Sequence, residues 1–309
     1  MKALLNKFIT QDFWRIGIIQ KSPISVIDQG LHGLDIQWLN CSTKDFEADP
    51  FIFMIDNTYF IAYEIFDYSH GNGKIECIDL EGNRYPFFDD INAVTGHKSY
   101  PFVFEENNNI YTIVETSDLN EAAIYQYNGY KFVKKSVLLD NGKYIDTNIK
   151  KIKDIYYLFT STADEPFEQL LFYSDSLLGD YRLHPSSPIA NDKKNGRNGG
   201  PIIEDNGNFY RIGQNCEHTY GGSLQVMKIT HISSDLYQEQ HYKDVMPVEP
   251  FSDGVHTLSS WGDLTVIDSK NIVVKYQNIY RKIKYLLMIK LGIEKPFFDT
   301  CDENTKREI

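Results

Sequence analysis

Carboxylates lead the side chains of this sequence that could do chemistry. Asp49 stands in "DFEADPFIFMIDNTYFIAYE" (residues 45–64), directly before Pro50, where an apolar strand pattern begins. Asp146 stands in "YIDTNI" at the head of a similar run, and Glu115 closes "IYTIVE". Carboxyl groups that share a small space can divide labour: one takes a proton, one gives a proton, and a third tunes the others. Making or breaking a glycosidic bond uses that division. Turn formation explains a lone Asp-Pro equally well, so the chemical reading requires partners for Asp49.

Several residues could supply them. Arg197 lies in "NDKKNGRNGGPII", a Gly- and Asn-rich approach in which a guanidinium suits a phosphate or carboxylate. Gln214 ends "FYRIGQ", and an amide there could hold sugar hydroxyls. His97 in "TGHKSYPF" and His256 in "DGVHTLS" are candidates for substrate contact, with Tyr100 and Tyr220 completing the set. Cys41, Cys77, Cys216 and Cys301 lie far apart without ligand spacing, so no metal site and no disulfide framework is expected. No cofactor is expected either, apart from a divalent ion that a nucleotide-sugar donor would bring.

A repeat must position these residues. "DPFIFMIDNTYFIAYE" from Asp49 lines up with "YPFVFEENNNIYTIVE" from Tyr100, "DTNIKKIKDIYYLFTS" from Asp146 and "GPIIEDNGNFYRIGQ" from Gly200. "VHTLSSWGDLTVIDS" from Val255 is a weaker fifth copy. Each copy reads as an apolar strand, a short turn of Asn, Asp or Gly, and a returning strand. Sheet-forming repeats of about 40–50 residues are the mark of β-propeller blades of four strands each. The expectation is an all-β, five-bladed β-propeller over 1–275. The repeat starts should then converge on the central channel, joined by the ends of the returning strands at Glu64, Glu115, Ser161 and Gln214. A β-sandwich with coincidental hairpins is the rival.

The whole chain narrows the function. Its 309 residues are 42% hydrophobic and 24% charged, which is ordinary for a soluble globular protein. A net charge of −12 argues against a general nucleic-acid binder. The 14% aromatic share fits β structure or sugar-stacking surfaces. The first residues lack the apolar core of an export signal, and no run reaches the roughly 18–20 apolar residues that cross a bilayer. A cytoplasmic location is expected. Residues 276–309 read as a C-terminal helical extension with an acidic tail. In it "NIYRKIKYLLMIKLGI" (278–293) is a short basic amphipathic helix, suited to a packed rim or to peripheral membrane contact.

"ADPFIF", "YPFVFE", "YIDTNI" and "DGVHT" resemble the five-bladed propellers of the glycoside hydrolase family 43 type. A closer resemblance covers roughly 13–270, through "FWRIGII", "DFEADPFIF", "SYPFVFEENNNIYTIVETS", "LFYSDSLLGDYRLHPSSPI", "GRNGGPII" and "YRIGQNCEHTYGG". It is to the propeller at the N-terminus of plant glucosamine inositolphosphorylceramide transferases and in bacterial polysaccharide-biosynthesis proteins. The hydrolase resemblance implies Asp49 as general base and Asp146 as the acid that orients the site. It also implies a general-acid Glu before Gly-Pro in the fourth repeat, where this chain has Gly199, with Arg197 two residues earlier.

These departures favour a glycosyltransferase-like enzyme acting on a phosphate-activated sugar in cell-surface polysaccharide or glycolipid assembly, cytoplasmic and membrane-peripheral. Its ligand would be a carbohydrate or sugar phosphate. The alternatives are a glycoside hydrolase with a relocated acid, such as Glu115 or Asp175, and a non-catalytic glycan-binding propeller.

Overall fold

Five two-residue turns set the architecture. The computed structural model describes residues 9–39, 46–68 and 71–276, together with Leu287. Ile55 pairs with Thr58, Glu106 with Asn109, Ile152 with Ile155, Asp205 with Asn208, and Trp261 with Leu264. In three of these hairpins both turn residues are left-handed: Asp56-Asn57 (φ 49° and 62°), Asn107-Asn108 (51° and 59°) and Asn206-Gly207 (48° and 75°). Such turns match the right-handed twist of the flanking strands, and Asn, Asp and Gly tolerate them best.

The N-terminal strands β1 (Thr10–Ile19) and β2 (Gln37–Trp38) belong to the last blade. The first blade holds β3 (Glu47–Ile55), β4 (Thr58–Asp67) and β5 (Asn72–Asp79). The second holds β6 (Ser99–Glu106), β7 (Asn109–Glu115), β8 (Glu121–Tyr127) and β9 (Phe132–Asp140). The third runs through β10 (Tyr144–Ile152), β11 (Ile155–Thr162), β12 (Glu168–Ser174) and β13 (Arg182–Leu183), with β14 (Ala190–Asn191) also paired to β12. The fourth comprises β15 (Ile203–Asp205), β16 (Asn208–Asn215), β17 (Ser223–Ile232) and β18 (Tyr237–Val245). The fifth has β19 (Leu258–Trp261) and β20 (Leu264–Val274), and β1 closes the ring by pairing with β20 from Thr10↔Val274 to Ile19↔Thr265.

Five separate sheets in this order make a five-bladed propeller and exclude the sandwich. Two sheets depart from the expected four strands per blade: among the described residues the first has three, and the third has five because β14 is added to β12. Beyond β5 the chain turns on Asp79, which accepts from the Asn83 backbone and side chain, and Ile78 makes a single bridge to Arg84 before the Asp89–Ala93 helix. The candidate helix at 278–293 and the extension 276–309 fall almost wholly outside the described residues.

Aromatic side chains fill the seams between blades. Phe51, Phe53, Phe102, Phe88 and Phe132 share one buried cluster spanning the first two blades. Tyr157, Phe159 and Tyr237 are buried in another between the third and fourth. Each such side chain contributes about 1.5–3 kcal/mol by leaving water, and the rings pack tilted or edge-on. The high aromatic share is therefore accounted for by the seams.

Candidate active site

Three blades carry the same irregularity at the same phase. Pairing of β3 with β4 slips between Ala48 and Phe51, of β6 with β7 between Ser99 and Phe102, and of β10 with β11 between Ile145 and Asn148. The first extra residue of each bulge is left-handed: Asp49 (φ 51°), Tyr100 (44°) and Asp146 (48°). A bulge re-aims one side chain out of the alternating pattern. Pro50 and Pro101 follow two of these residues, at positions where the missing N–H breaks no ladder bond. Glu64, Glu115 and Ser161 pair with the residues just before the bulges, so the returning strands add a second tier at the same level.

Asp49 is buried and held on every side. Its Oδ1 accepts from Thr257 Oγ1 at 2.8 Å, its Oδ2 from the Tyr100 N–H at 3.3 Å, and His256 Nε2 lies 3.3 Å from Oδ1. Burial raises its pKa from 3.8 to about 6; His256 opposes the rise, while Asp146 and Asp268 add to it. Asp146, equally buried, meets a permanent cation instead: Arg197 donates to it through Nε, and Asn198 Nδ2 caps its backbone carbonyl at 2.8 Å. Glu115 Oε2 accepts from the Asp146 N–H at 3.3 Å. Desolvation, then the Asp146 charge, pushes Glu115 up to about 8 against the pull of Arg197. Glu64 is likewise held well above the carboxylate range, by burial and then by Asp49, Glu115 and Asp146.

Asp49, Asp146, Glu115, Arg197, His256 and Tyr220 thus converge. The Tyr220 ring carries Arg197 at 5.4 Å and meets the His256 ring edge-on at 5.1 Å. The other expected contacts stand behind them. Tyr100 packs its fully buried ring on Phe51, with its hydroxyl 3.5 Å from Asn148 Nδ2. Gln214 donates to the Asn198 carbonyl at 2.6 Å and bonds Arg197 through its backbone, so it secures the bend that carries the arginine. His97 accepts from the Gly73 N–H at Nδ1 and turns Nε2 to Glu64 at 3.5 Å; burial lowers its pKa to about 4, leaving a neutral ring.

Two candidates for the missing acid are resolved by geometry. A Cβ on Gly199 would lie 2.8 Å from the His256 carbonyl oxygen and 2.8 Å from Leu224 Cδ2, so no carboxylate fits there. Asp175 corrects an expectation: it follows β12 at the end of the blade away from the site, 79% exposed and paired with Arg182. Asp49, His256 and Asp268 do present ligand atoms within 4.8 Å of one another. Both imidazole nitrogens already lie against carboxylates, and an imidazolium there is itself the cation of the group.

Sequence reasoning missed Asp268, Thr257 and Trp14, and named Glu64 only by its register. Trp14 packs tilted against His256 with ring centroids 4.2 Å apart. Asp268 had a usable signal, since it stands between Val266–Ile267 and Ser269–Lys270 on a strand where all five residues are buried. A lone acid in such a run needs a buried partner.

Glucosamine inositolphosphorylceramide transferase 1 of Oryza sativa subsp. japonica is 29% identical over 256 residues, covering 73% of this chain and 34% of that protein. The Arabidopsis thaliana protein of the same name is 30% identical over 208 residues, 63% and 27% of the two chains. The chain therefore spans about a third of the length of these curated relatives. In fold it is similar to the catalytic domain of a family 62 α-L-arabinofuranosidase from Coprinopsis cinerea, with a TM-score of 0.53, 11% identity, and coverage of 75% of this chain and 93% of that one. Residues 37–254 match the family described as glucosamine inositolphosphorylceramide transferase 1, N-terminal, and the chain belongs to that family.

Proposed function

We propose that this chain is a carbohydrate-active enzyme whose channel mouth performs glycosyl transfer. The observation that carries the reading is the convergence of Asp49, Asp146, Glu115 and Arg197 at one set of bulges; burial pushes Asp49 up to about 6 and Glu115 up to about 8, so at neutral pH the first is anionic and the second keeps its proton. In the step, an acceptor hydroxyl oxygen bonds to the anomeric carbon and its proton passes to Asp49. The bond to the leaving oxygen breaks, and Glu115 protonates that oxygen. The Asp146–Arg197 pair fixes the field between them. Transfer, rather than release to water, is favoured by the relatives, which are named as transferases. A phosphate-activated donor would share Arg197 with Asp146.

Hydrolysis is the second reading, and Glu115 favours it, because a sugar alcohol needs a proton to leave where a phosphate does not. In our reading the work is done in the cytoplasm, at the surface of a membrane. Strand β20 runs past Asp268 to Val274, and the sequence beyond it carries Arg281, Lys282, Lys284 and Lys290, basic side chains that an anionic lipid surface would attract.

Melting of the protein with a panel of nucleotide sugars, sugar phosphates and neutral oligosaccharides, followed by product analysis of the stabilising ones, tests the proposal. A glycosylated acceptor supports transfer, and free sugar supports hydrolysis. Stabilisation by no sugar, or wild-type turnover in both Asp49→Asn and Glu115→Gln, overturns it.

A further inference from the structure

The contacts of Asp49 trace back to a single carboxylate that touches no substrate space. Asp268 is fully buried on β20. Its Oδ2 accepts from the Asp49 N–H at 2.9 Å and lies 2.8 Å from His256 Nδ1. Its Oδ1 accepts from the His256 N–H at 3.0 Å and the Thr257 N–H at 2.9 Å. Of the groups around the Asp49 carboxylate, Thr257 Oγ1 and His256 Nε2 both sit on residues whose backbone Asp268 holds. The Asp49 N–H itself, turned out of the ladder by the left-handed bulge, ends on Asp268 as well. The Tyr100 N–H comes from elsewhere, from the bulge of the second blade. A left-handed non-glycine residue persists where its surroundings over-determine it, and Asp268 supplies most of that determination here.

We propose that Asp268 is the positioning residue of the reaction: it anchors the Asp49 bulge and holds His256 as an imidazolium against the Asp49 carboxylate. The inference rests on the reading of Asp49 as base. The charged and aromatic groups facing His256 are Asp268 from its own blade, Asp49 from the first blade, Arg197 from the fourth, and the rings of Trp14 and Tyr220. Burial and Arg197 disfavour the charged ring; the two carboxylates outweigh them and raise its pKa above the usual 6.5. An imidazolium beside Asp49 keeps the carboxylate ionised despite its burial, and the Asp268 charge against Nδ1 leaves Nε2 facing the base. The arrangement is an acid–imidazole–acid series, with the outer acid on the bulge of the first blade and the inner one on β20.

Histidine-labelled protein followed by NMR against pH, with His256 identified by its loss in His256→Gln, tests this without any assay of turnover. The wild-type ring should stay protonated above pH 6.5, and Asp268→Asn should bring its titration below that value. A wild-type ring that titrates at or below 6.5 overturns the inference even where Asp268→Asn fails to fold. An unchanged titration in a folded Asp268→Asn overturns it too, since a merely structural role would lower melting alone. In turnover, Asp268→Asn should lower kcat about 10–100-fold with KM within about twofold, the scale at which a group orienting a reacting side chain acts. The acid limb of the pH profile should move upward, because the lost imidazolium lowers the Asp49 pKa more than the lost carboxylate raises it. If the titration behaves as stated while no sugar is turned over, the functional reading fails and the positioning stands.

Discussion

The bulges of the first and third blades place an aspartate on the same backbone and give it opposite surroundings. Asp49 and Asp146 share a left-handed φ, a two-against-one register and nearly complete burial. Asp49 faces a hydroxyl and a titratable ring, and its pKa rises. Asp146 faces the permanent charge of Arg197. The repeat fixes where each carboxylate stands, and the neighbours that cross from other blades decide what it can do. One carboxylate is left able to exchange a proton, and the other is committed to an ion pair.

Asparagine at each position should separate the two most sharply. It keeps the shape and tolerates the left-handed backbone, so neither variant strains the bulge. Asp49→Asn should lower turnover by about 10²–10⁴-fold, the range for loss of a general base. It should also stabilise the fold at high pH. The raised carboxyl favours the folded state below its unfolded value of 3.8, and that contribution is lost as pH rises through about 6. Asparagine avoids the loss, so above pH 7 the variant should unfold with a free energy higher than wild type by roughly 3 kcal/mol, and below pH 4 with an equal one. Asp146→Asn should do the reverse, losing about 3–5 kcal/mol by stranding a buried guanidinium. Denaturant unfolding at pH 4 and pH 8 checks both signs. Equal shifts in the two variants would erase the distinction between the bulges.

The pH dependence of turnover should show the same division less steeply. Activity should rise through about pH 6 as Asp49 ionises and fall through about pH 8 as Glu115 loses its proton. Glu115→Gln should remove the alkaline limb and lower the plateau, and Asp49→Asn should remove the acid limb from whatever activity persists. The two limbs belong to neighbours that feel one another's charge, so each variant should also shift the limb that remains.

Much of this placement was legible in the sequence, for a local reason. The turns "DNTY", "NNNIY" and "DNGNF" fix two-residue hairpins, hairpins fix register, and register fixes which residue falls in the bulge. Asp49, Tyr100, Asp146, Glu64 and Glu115 could therefore be named by counting. What counting could not reach was whatever crosses the ring. Asp268 meets Asp49 across 219 residues from a phase at which the other copies carry Ala62, Ile113, Phe159 and Ile212, and Trp14 arrives on a strand that closes the last blade from the other end of the chain. The same limit explains Gln214, whose amide nitrogen goes to the Asn198 carbonyl, and His97, whose ring meets the Gly73 N–H and Glu64.

Gly199 sharpens the account of the fourth blade. The hydrolase resemblance implies an acid at this position, and the walls of the site leave no room for one. Gly199→Ala should lower stability by about 1–3 kcal/mol, since the His256 carbonyl must move to admit a methyl group. Because that carbonyl belongs to the residue facing Asp49, turnover should fall further than the loss of stability explains. Melting and turnover measured together check this.

The smallest expected effect discriminates between the acids that could take the place of the missing one. Asp175 is as much a carboxylate as Glu115, and a relocated proton donor could be sought in either. It lies where β12 ends, on the side of the third blade away from the bulges, exposed and in a surface pair with Arg182. Such pairs contribute about 0–1 kcal/mol. Asp175→Asn should therefore leave turnover within about twofold, and melting and the alkaline limb in place. A tenfold fall in turnover would move the proton donor out of the mouth where Asp49 and Glu115 stand. The contrast between the two bulges would then describe packing alone, because a base without a donor at the same mouth cannot complete the transfer.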